Sequence, residues 1–274
     1  MCEHHPVKVE KTVVRPFESM HRRDIVRGLW AGTMLVGVTG AAGCESVAGL
    51  LEPSDAQLME MSAQAWAQTK TEMKISRDPK ANARLQAVGP KIALAAGRPN
   101  DPWEFVVFDS PEKNAWVLPG GKVGFYKGLM DFCDNDDQVA AVLGHEVGHV
   151  IARHAAKRAG QQSASSIGLA LGSYALGNRV SAAQKDAIMQ VAGAGVQGVV
   201  ILPFSRDNES EADRLGVDYM YSAKYDVRQA ITLWEKMAAG SASRPPEWLS
   251  THPDPTHRAT DLKAYINAKG YAKV

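Results

Sequence analysis

The sequence has few cysteines and no excess of charge of either sign. Three of its 274 residues are cysteine, and 31 basic residues stand against 30 acidic ones. Cys2, Cys44 and Cys133 have neither the spacing of a metal-binding cysteine motif nor the number that a disulfide framework needs. The basic residues form no stripe with interleaved aromatics, so no nucleic-acid partner is expected. Composition therefore excludes these classes without naming a function.

Long apolar runs are scarce as well, and the clearest candidate lies near the N-terminus. Residues 22–27 carry three arginines and precede an uncharged stretch, residues 28–43. This stretch is rich in glycine and alanine and shorter than the roughly 20 apolar residues that a membrane-spanning helix needs. A basic region, a short apolar region and small residues before a cleavage point are typical of a secretory signal. We therefore predict that residues 1–43 are a signal peptide rather than a permanent transmembrane anchor.

Two features of this segment indicate how the chain is exported. Cys44 follows Ala-Ala-Gly, as in a bacterial lipobox, where cleavage exposes the cysteine for lipidation, although Ala41 stands where that pattern prefers leucine. The stretch HRRDIVR is similar to a twin-arginine export signal, with a general secretory signal as the alternative. We predict a periplasmic lipoprotein attached through Cys44, with residues 44–53 as its linker. Glu45 follows the cysteine where aspartate would indicate inner-membrane retention, which favours the outer membrane.

The remaining residues, 54–274, are predicted to form one α+β domain that is mostly helical. Apolar residues at spacings of three and four predict helices at about 54–73, 79–96, 134–159, 208–222, 226–239 and 256–269. In the first helix, Met61 and Trp66 are expected to pack in the core rather than to form a recognition surface. A strand is predicted at 103–108, and two more flank the turn at 119–121, giving a small antiparallel or mixed sheet before the helix predicted at 134–159.

One segment departs from this pattern in its composition. Residues 160–200 are low in charge and rich in glycine, alanine and serine. We predict one or two pliable helices there, with a break near Gly177. Plain close packing is favoured over a lid on a cleft or a contact with the membrane.

The stretch HEVGH, residues 145–149, places two histidines four apart on a predicted helix. Residues at that spacing share one helix face, so His145 and His149 can bind one tetrahedral zinc ion. Glu146 is offset around the helix, beside the ion, where its carboxylate can take a proton from water. The alternative is an amphipathic helix whose histidines are solvated or hydrogen-bonded. The motif favours a metal site.

A third candidate ligand lies in the downstream stretch SRDNESEADRLG. Glu209 and Asp213 are four apart and share one face of another predicted helix. Glu209 can reach the same ion, while Asp213 can hold a ligating histidine by its other ring nitrogen. Glu211 is predicted to point elsewhere, into solvent. The expected cofactor is one zinc ion per chain.

These segments together resemble a known family. DNDDQVAAVLGHEVGHVIARH followed by LPFSRDNESEADRLG is similar to the gluzincin family of zinc metallopeptidases that includes HtpX, the mitochondrial protease Oma and the CAAX prenyl protease. The likeness is greatest to the periplasmic BepA/LoiP-type branch and covers about residues 55–270. The resemblance implies a zincin-like fold with His145, His149 and Glu209 as zinc ligands. It also implies that Glu146 is the general base and that Asp213 hydrogen-bonds a ligating histidine.

Two further segments take part in the resemblance. NAWVLPGGKVGFYKGLM is similar to the family's strand pair, which implies that Asn114, Ala115 and Trp116 form an edge that binds an extended substrate; an ordinary hairpin is the alternative. STHPDPTHR is similar to a segment whose histidine lies at the active site. This implies that His252 acts in catalysis or latches the metal, with loop packing as the alternative. Arg258 is the matching arginine and is assigned to substrate binding.

The resemblance implies an endopeptidase that hydrolyses misfolded or unassembled cell-envelope proteins. Its expected partners are such polypeptides, the membrane reached through the N-terminal lipid, and the outer-membrane assembly machinery. A different class, a zinc-bearing periplasmic chaperone, would bind unfolded outer-membrane proteins without cutting them. It would need the same strand edge but not Glu146. The complete set of ligands and base favours the enzyme.

Overall fold

The computed structural model describes residues 49–162, 204–240 and 248–271. The predicted signal peptide, Cys44 and the start of the linker lie outside the described residues. So do residues 163–200, which carry most of the predicted pliable helices and the alternative of a lid. Within the described ranges, no helix combines the length and the apolar character needed to cross a membrane.

Helices make up most of the described chain. They are α1 (Asp55–Glu72), α2 (Pro79–Ala95), α3 (Lys127–Phe132), α4 (Asp136–Ile151), α5 (Arg206–Ser222), α6 (Arg228–Gly240), α7 (Trp248–Thr251) and α8 (Pro255–Lys269). The strands are β1 (Glu104–Phe108), β2 (Ala115–Leu118) and β3 (Lys122–Tyr126). The predicted α+β class is therefore confirmed. Helices α3 and α7 were missed because six and four residues are too few to show an apolar period.

The sheet is mixed and has the order β1-β3-β2. Strand β1 pairs with β3 in parallel, and β2 pairs with β3 antiparallel across the predicted turn. Strand β2 thus forms one edge of the described sheet. Helix α4 packs beside β2, and its residues Val142, Leu143 and Val147 are almost wholly buried in the core. The free edge of β2 is therefore held next to the helix that carries the HEVGH stretch.

The two helices that carry the candidate ligands begin at side-chain caps. Asn135 accepts a hydrogen bond from the backbone N–H of Gln138 at the start of α4, and Ser205 accepts one from Asn208 at the start of α5. The first turn of α4 also contains Asp136, which suits the positive end of the helix dipole. Local sequence therefore determines where both helices begin.

Helices α4 and α5 pack so closely that glycine is required where they meet. A Cβ atom on Gly144 would lie 2.8 Å from the carbonyl oxygen of Gly216, and one on Gly148 would lie 2.8 Å from that of Ala212. Both distances are below 3.0 Å, which is closer than the Cβ atoms of real proteins come to such neighbours. A larger side chain would push the helices apart. The glycines therefore bring the acidic face of α5 against the histidine face of α4.

Helix α4 ends earlier than the sequence predicts. The apolar pattern predicts a helix to about residue 159, but α4 stops at Ile151, and Arg153 has a φ of 57° before the chain becomes helical again at 154–162. Arg153 pairs with Asp55 at 2.5 Å and donates to the carbonyl of Pro53 at 3.4 Å. These contacts help to hold a left-handed residue that an apolar period cannot reveal. The chain changes direction directly after the motif.

Candidate metal centre

Four buried side chains converge beside α4. His145 and His149 come from α4, Glu209 comes from α5, and His252 follows α7. None is more than 4% exposed. One ligand atom from each residue lies within 4.8 Å of the others. Segments that are distant in the sequence therefore meet in one cluster of metal-binding groups.

The separations within this cluster match those between ligand atoms around a tetrahedral ion. The Nε2 atoms of His145 and His149 are 3.0 Å apart, and each lies 3.4 Å from a carboxylate oxygen of Glu209. Nδ1 of His252 lies 3.2 Å from Nε2 of His145 and 3.0 Å from Oε1 of Glu209. Atoms at about 2.0–2.1 Å from a tetrahedral zinc ion are about 3.3 Å apart. The cluster therefore fits a metal ion, with His252 at the fourth position.

Burial and neighbouring charged groups shift the pKa values of three of these side chains in different directions. Burial and His145 hold the pKa of His149 well below its ordinary value, so this ring is neutral. Burial opposes ionisation of Glu209, but His252 and His145 outweigh it and hold the pKa of this carboxyl well below its ordinary value. For His145, burial and Arg258 are outweighed by Asp213 and Glu209, which raise the pKa to about 9. Metal binding must therefore displace a proton from His145.

Asp213 and Arg258 support the cluster from behind. Oδ1 of Asp213 lies 2.8 Å from Nδ1 of His145, which leaves Nε2 of that ring facing the cluster. Arg258 donates to both carboxylate oxygens of Asp213, at 2.8 and 2.7 Å, and its Nη1 lies 3.1 Å from Glu209. Arg258 is 3% exposed. Its predicted contact with substrate is therefore corrected: the buried guanidinium holds two carboxylates in place.

Glu146 lies beside the cluster, with its carboxylate held by an indole. Oε1 of Glu146 accepts a hydrogen bond from Nε1 of Trp248 at 2.9 Å and lies 3.5 Å from Nε2 of His252. The backbone N–H of Trp248 also donates to the carbonyl of Lys113, at 3.1 Å. Sequence reasoning missed Trp248. Its spacing of four from His252 is the signal that could have placed both residues on one helical turn.

His154 and Glu211 lie behind His149. His154 is fully buried, with Nδ1 at 2.8 Å from Nδ1 of His149 and Nε2 at 3.0 Å from Oε2 of Glu211. Burial lowers the pKa of His154 even though Glu211 opposes the shift. Glu211 keeps a half-exposed side chain, so its predicted solvation holds only in part. His154 was missed because a residue five positions on lies about 140° around a continuous helix.

A cleft of about 1070 Å³ leads away from the cluster. It is lined by Glu146, His149 and His252, by residues 114–120 around strand β2, and by Met59 and Met61 of α1. The prediction that Met61 packs in the core is wrong: this side chain is 36% exposed, whereas its helix neighbour Trp66 is 3% exposed. The predicted edge residues and two methionines therefore share one cleft with the cluster.

The residues of the predicted edge differ in where their backbone groups point. The N–H of Tyr126 donates to the carbonyl of Asn114 at 2.9 Å, so Asn114 faces β3. Hydrogen bonding alternates along an antiparallel pair, so Trp116 also faces β3, whereas Ala115 and Val117 face away from it. Ala115 and Val117 therefore present backbone N–H and C=O groups at the free edge of β2.

Comparisons with known proteins agree with this geometry. The sequence model of peptidase family M48 matches residues 79–266. The mitochondrial metalloendopeptidase OMA1 of Schizosaccharomyces pombe is 35% identical over 178 residues, which are 64% of this chain and 50% of that protein. The beta-barrel assembly-enhancing protease of Escherichia coli K12 is 31% identical over 217 residues, 77% of this chain and 44% of that protein. The chain thus spans about half the length of these curated relatives. The region that the family model matches, residues 79–266, includes all four residues of the cluster.

Proposed function

Because this chain belongs to peptidase family M48, we propose that it is a zinc-dependent endopeptidase. Membership confirms the family resemblance seen in the histidine and acidic segments. The observation that carries the proposal is the convergence of His145, His149 and Glu209 at tetrahedral separations, with Glu146 beside them. Two imidazoles and one carboxylate are a donor set of catalytic zinc sites. Zinc is therefore the proposed ion, one per chain.

The proposed reaction is hydrolysis of a peptide bond with Glu146 as general base. A bound zinc ion supplies Lewis-acid polarisation of a water molecule and of the scissile carbonyl. Glu146 takes a proton from the attacking water and returns it to the leaving amine. Trp248 orients this carboxylate through its bond to Oε1, and Asp213 keeps Nε2 of His145 facing the ion.

Extended polypeptide is the proposed substrate class. The outward backbone groups of Ala115 and Val117 can add a substrate chain to the sheet as a further strand. Such bonds involve the main chain of the substrate, so they select extended conformation rather than one side chain. Met59 and Met61 give the cleft adaptable apolar surface. Unfolded proteins offer both extended main chain and exposed apolar side chains.

The proposed setting is the bacterial periplasm, with attachment to the outer membrane through lipid on Cys44. The signal-like residues 1–43 and the lipobox-like cysteine support this proposal. One relative is named as a beta-barrel assembly-enhancing protease, which supports misfolded or unassembled envelope proteins as substrates and the assembly machinery as a partner.

A non-cutting zinc chaperone is the second candidate. The position of His252 favours it, because Nδ1 of this ring occupies the fourth ligand position, where a water molecule must enter for hydrolysis. Such a chaperone would bind unfolded polypeptide at β2 and keep His252 in place permanently.

Metal removal distinguishes the two candidates. We expect the purified full-length protein to cleave unfolded casein, to lose this activity when a chelator removes zinc, and to regain it when zinc is restored. Cleavage would be followed by fluorescence of labelled casein and zinc by atomic emission. Unchanged cleavage after verified zinc loss would overturn the metal mechanism. Casein binding without cleavage, at one zinc per chain, would favour the chaperone.

His252→Ala tests whether His252 is a latch. Removing the imidazole opens the fourth position in every molecule. We expect casein cleavage to rise about tenfold, which corresponds to a latch that is open in about a tenth of the wild-type molecules. His257→Ala is the matched control, because the side chain of His257 is 77% exposed five positions away. A fall in kcat at unchanged zinc content would instead assign His252 to catalysis.

A further inference from the structure

We infer that His154, supported by Glu211, is a positioning residue for the metal ligand His149. The inference rests on the proposed zinc site. His154 is fully buried and lies between the two, at 2.8 Å from His149 and 3.0 Å from Glu211. His154 follows the HEVGH stretch and is not one of the proposed zinc ligands. Its contacts join a metal ligand to a carboxylate at the protein surface.

The direction of the hydrogen bonds follows from the position of His149. Nε2 of His149 faces the cluster, so on metal binding the ring proton is on Nδ1. That N–H points at Nδ1 of His154, which must therefore accept. The proton of His154 is then on Nε2, which donates to Glu211. The three side chains form one directed chain from ligand to carboxylate.

The break after α4 makes this contact possible. On a continuous helix His154 would lie about 140° around from His149. Left-handed Arg153 redirects the chain, and its pairing with Asp55 secures the turn against the start of α1. Phe204 stacks on the face of the His149 ring, with centroids 4.1 Å apart. The ring of His149 is thus held by Phe204 on its face and by His154 at its edge.

The two histidine ligands therefore have different supports. His145 is held directly by the buried carboxylate of Asp213, which Arg258 neutralises. His149 is held by a neutral imidazole, with the carboxylate of Glu211 one step further away. Groups that hydrogen-bond metal ligands fix the tautomer and orientation of those ligands, and their loss weakens metal binding about 10–100-fold. His154 has the position required for this role.

Zinc affinity of His154 variants tests the inference. We expect His154→Leu to weaken zinc binding about 10–100-fold, measured by competition with a chromogenic chelator. In His154→Asn the amide oxygen replaces Nδ1 as acceptor, so its affinity should stay within about threefold of wild type. Glu211→Gln should weaken binding less than His154→Leu does. Glu235→Gln, an exposed carboxylate on α6, is the matched control and should bind zinc as wild type does.

The outcomes separate positioning from packing. Equal weakening in His154→Leu and His154→Asn, or wild-type affinity in both, would overturn the inference. If His154→Leu fails to fold by circular dichroism of the metal-free protein, the other variants decide. In that case the inference is supported if His154→Asn binds zinc with full affinity and Glu211→Gln binds zinc more weakly than Glu235→Gln does. Any other pattern overturns the inference. A wild-type protein that binds no zinc would instead overturn the proposed function itself.

Discussion

Glu146→Gln is expected to remove nearly all casein cleavage while one zinc ion per chain stays bound. The amide has nearly the shape of the carboxylate and can still accept the hydrogen bond from Trp248, but it cannot take a proton from water. General-base catalysis contributes about 10²–10⁴-fold to a rate, so we expect a loss of that size. Initial rates of cleavage and zinc content of the same sample would be measured together.

The control for this substitution is Glu235→Gln, which makes the same chemical change on an exposed helix face. It should cleave at the wild-type rate. A Glu146→Gln variant that also cleaves at the wild-type rate would exclude Glu146 as the base. If activity and zinc were lost together, Glu146 would instead contribute to holding the metal.

Arg258→Met is expected to lower the free energy of unfolding of the metal-free protein by about 3–5 kcal/mol. Arg258 donates to Asp213 and lies 3.1 Å from Glu209, and all three side chains are almost wholly buried. Burial alone would raise the pKa of Asp213, but Arg258 and His145 outweigh it and hold this pKa below its ordinary value. Removing the guanidinium takes away a buried cation that contacts both carboxylates. Urea unfolding followed by tryptophan fluorescence measures the loss.

Arg77→Met is the matched control because Arg77 is exposed. Such surface changes alter the free energy of unfolding by less than about 0.5 kcal/mol. Equal stability of the two variants would show that Arg258 is not needed to neutralise the carboxylates.

The parts of the site that could be predicted are those set by local spacing. His145 and His149 share a helix face because they are four apart, and the same spacing joins Glu209 to Asp213. Apolar periodicity likewise indicated the long helices, and the turn at 119–121 indicated the antiparallel strand pair. These features depend on neighbours in the chain.

The parts that could not be predicted depend on backbone conformation or on distant contacts. Nothing in the apolar period marks Arg153 as left-handed, so the end of α4 and the contact of His154 with His149 were missed. Trp248 reaches Glu146, 102 residues away in the chain, and Arg258 reaches Asp213, 45 residues away. Spacing rules do not extend to such pairs. Their roles became visible once α7 and α8 were placed against the cluster.

The glycine contact between α4 and α5 also affects which substitutions elsewhere in the core leave the spacing of these helices unchanged. Main-chain atoms, at Gly144 against Gly216 and at Gly148 against Ala212, limit the approach of the two helices. The separation of the two backbones that carry the histidines and Glu209 is thus set by main-chain contact rather than by packed side chains. Core substitutions away from this contact, and away from the side chains that hold the ligands, can therefore accumulate or be engineered for heat resistance while the spacing of α4 and α5 stays the same.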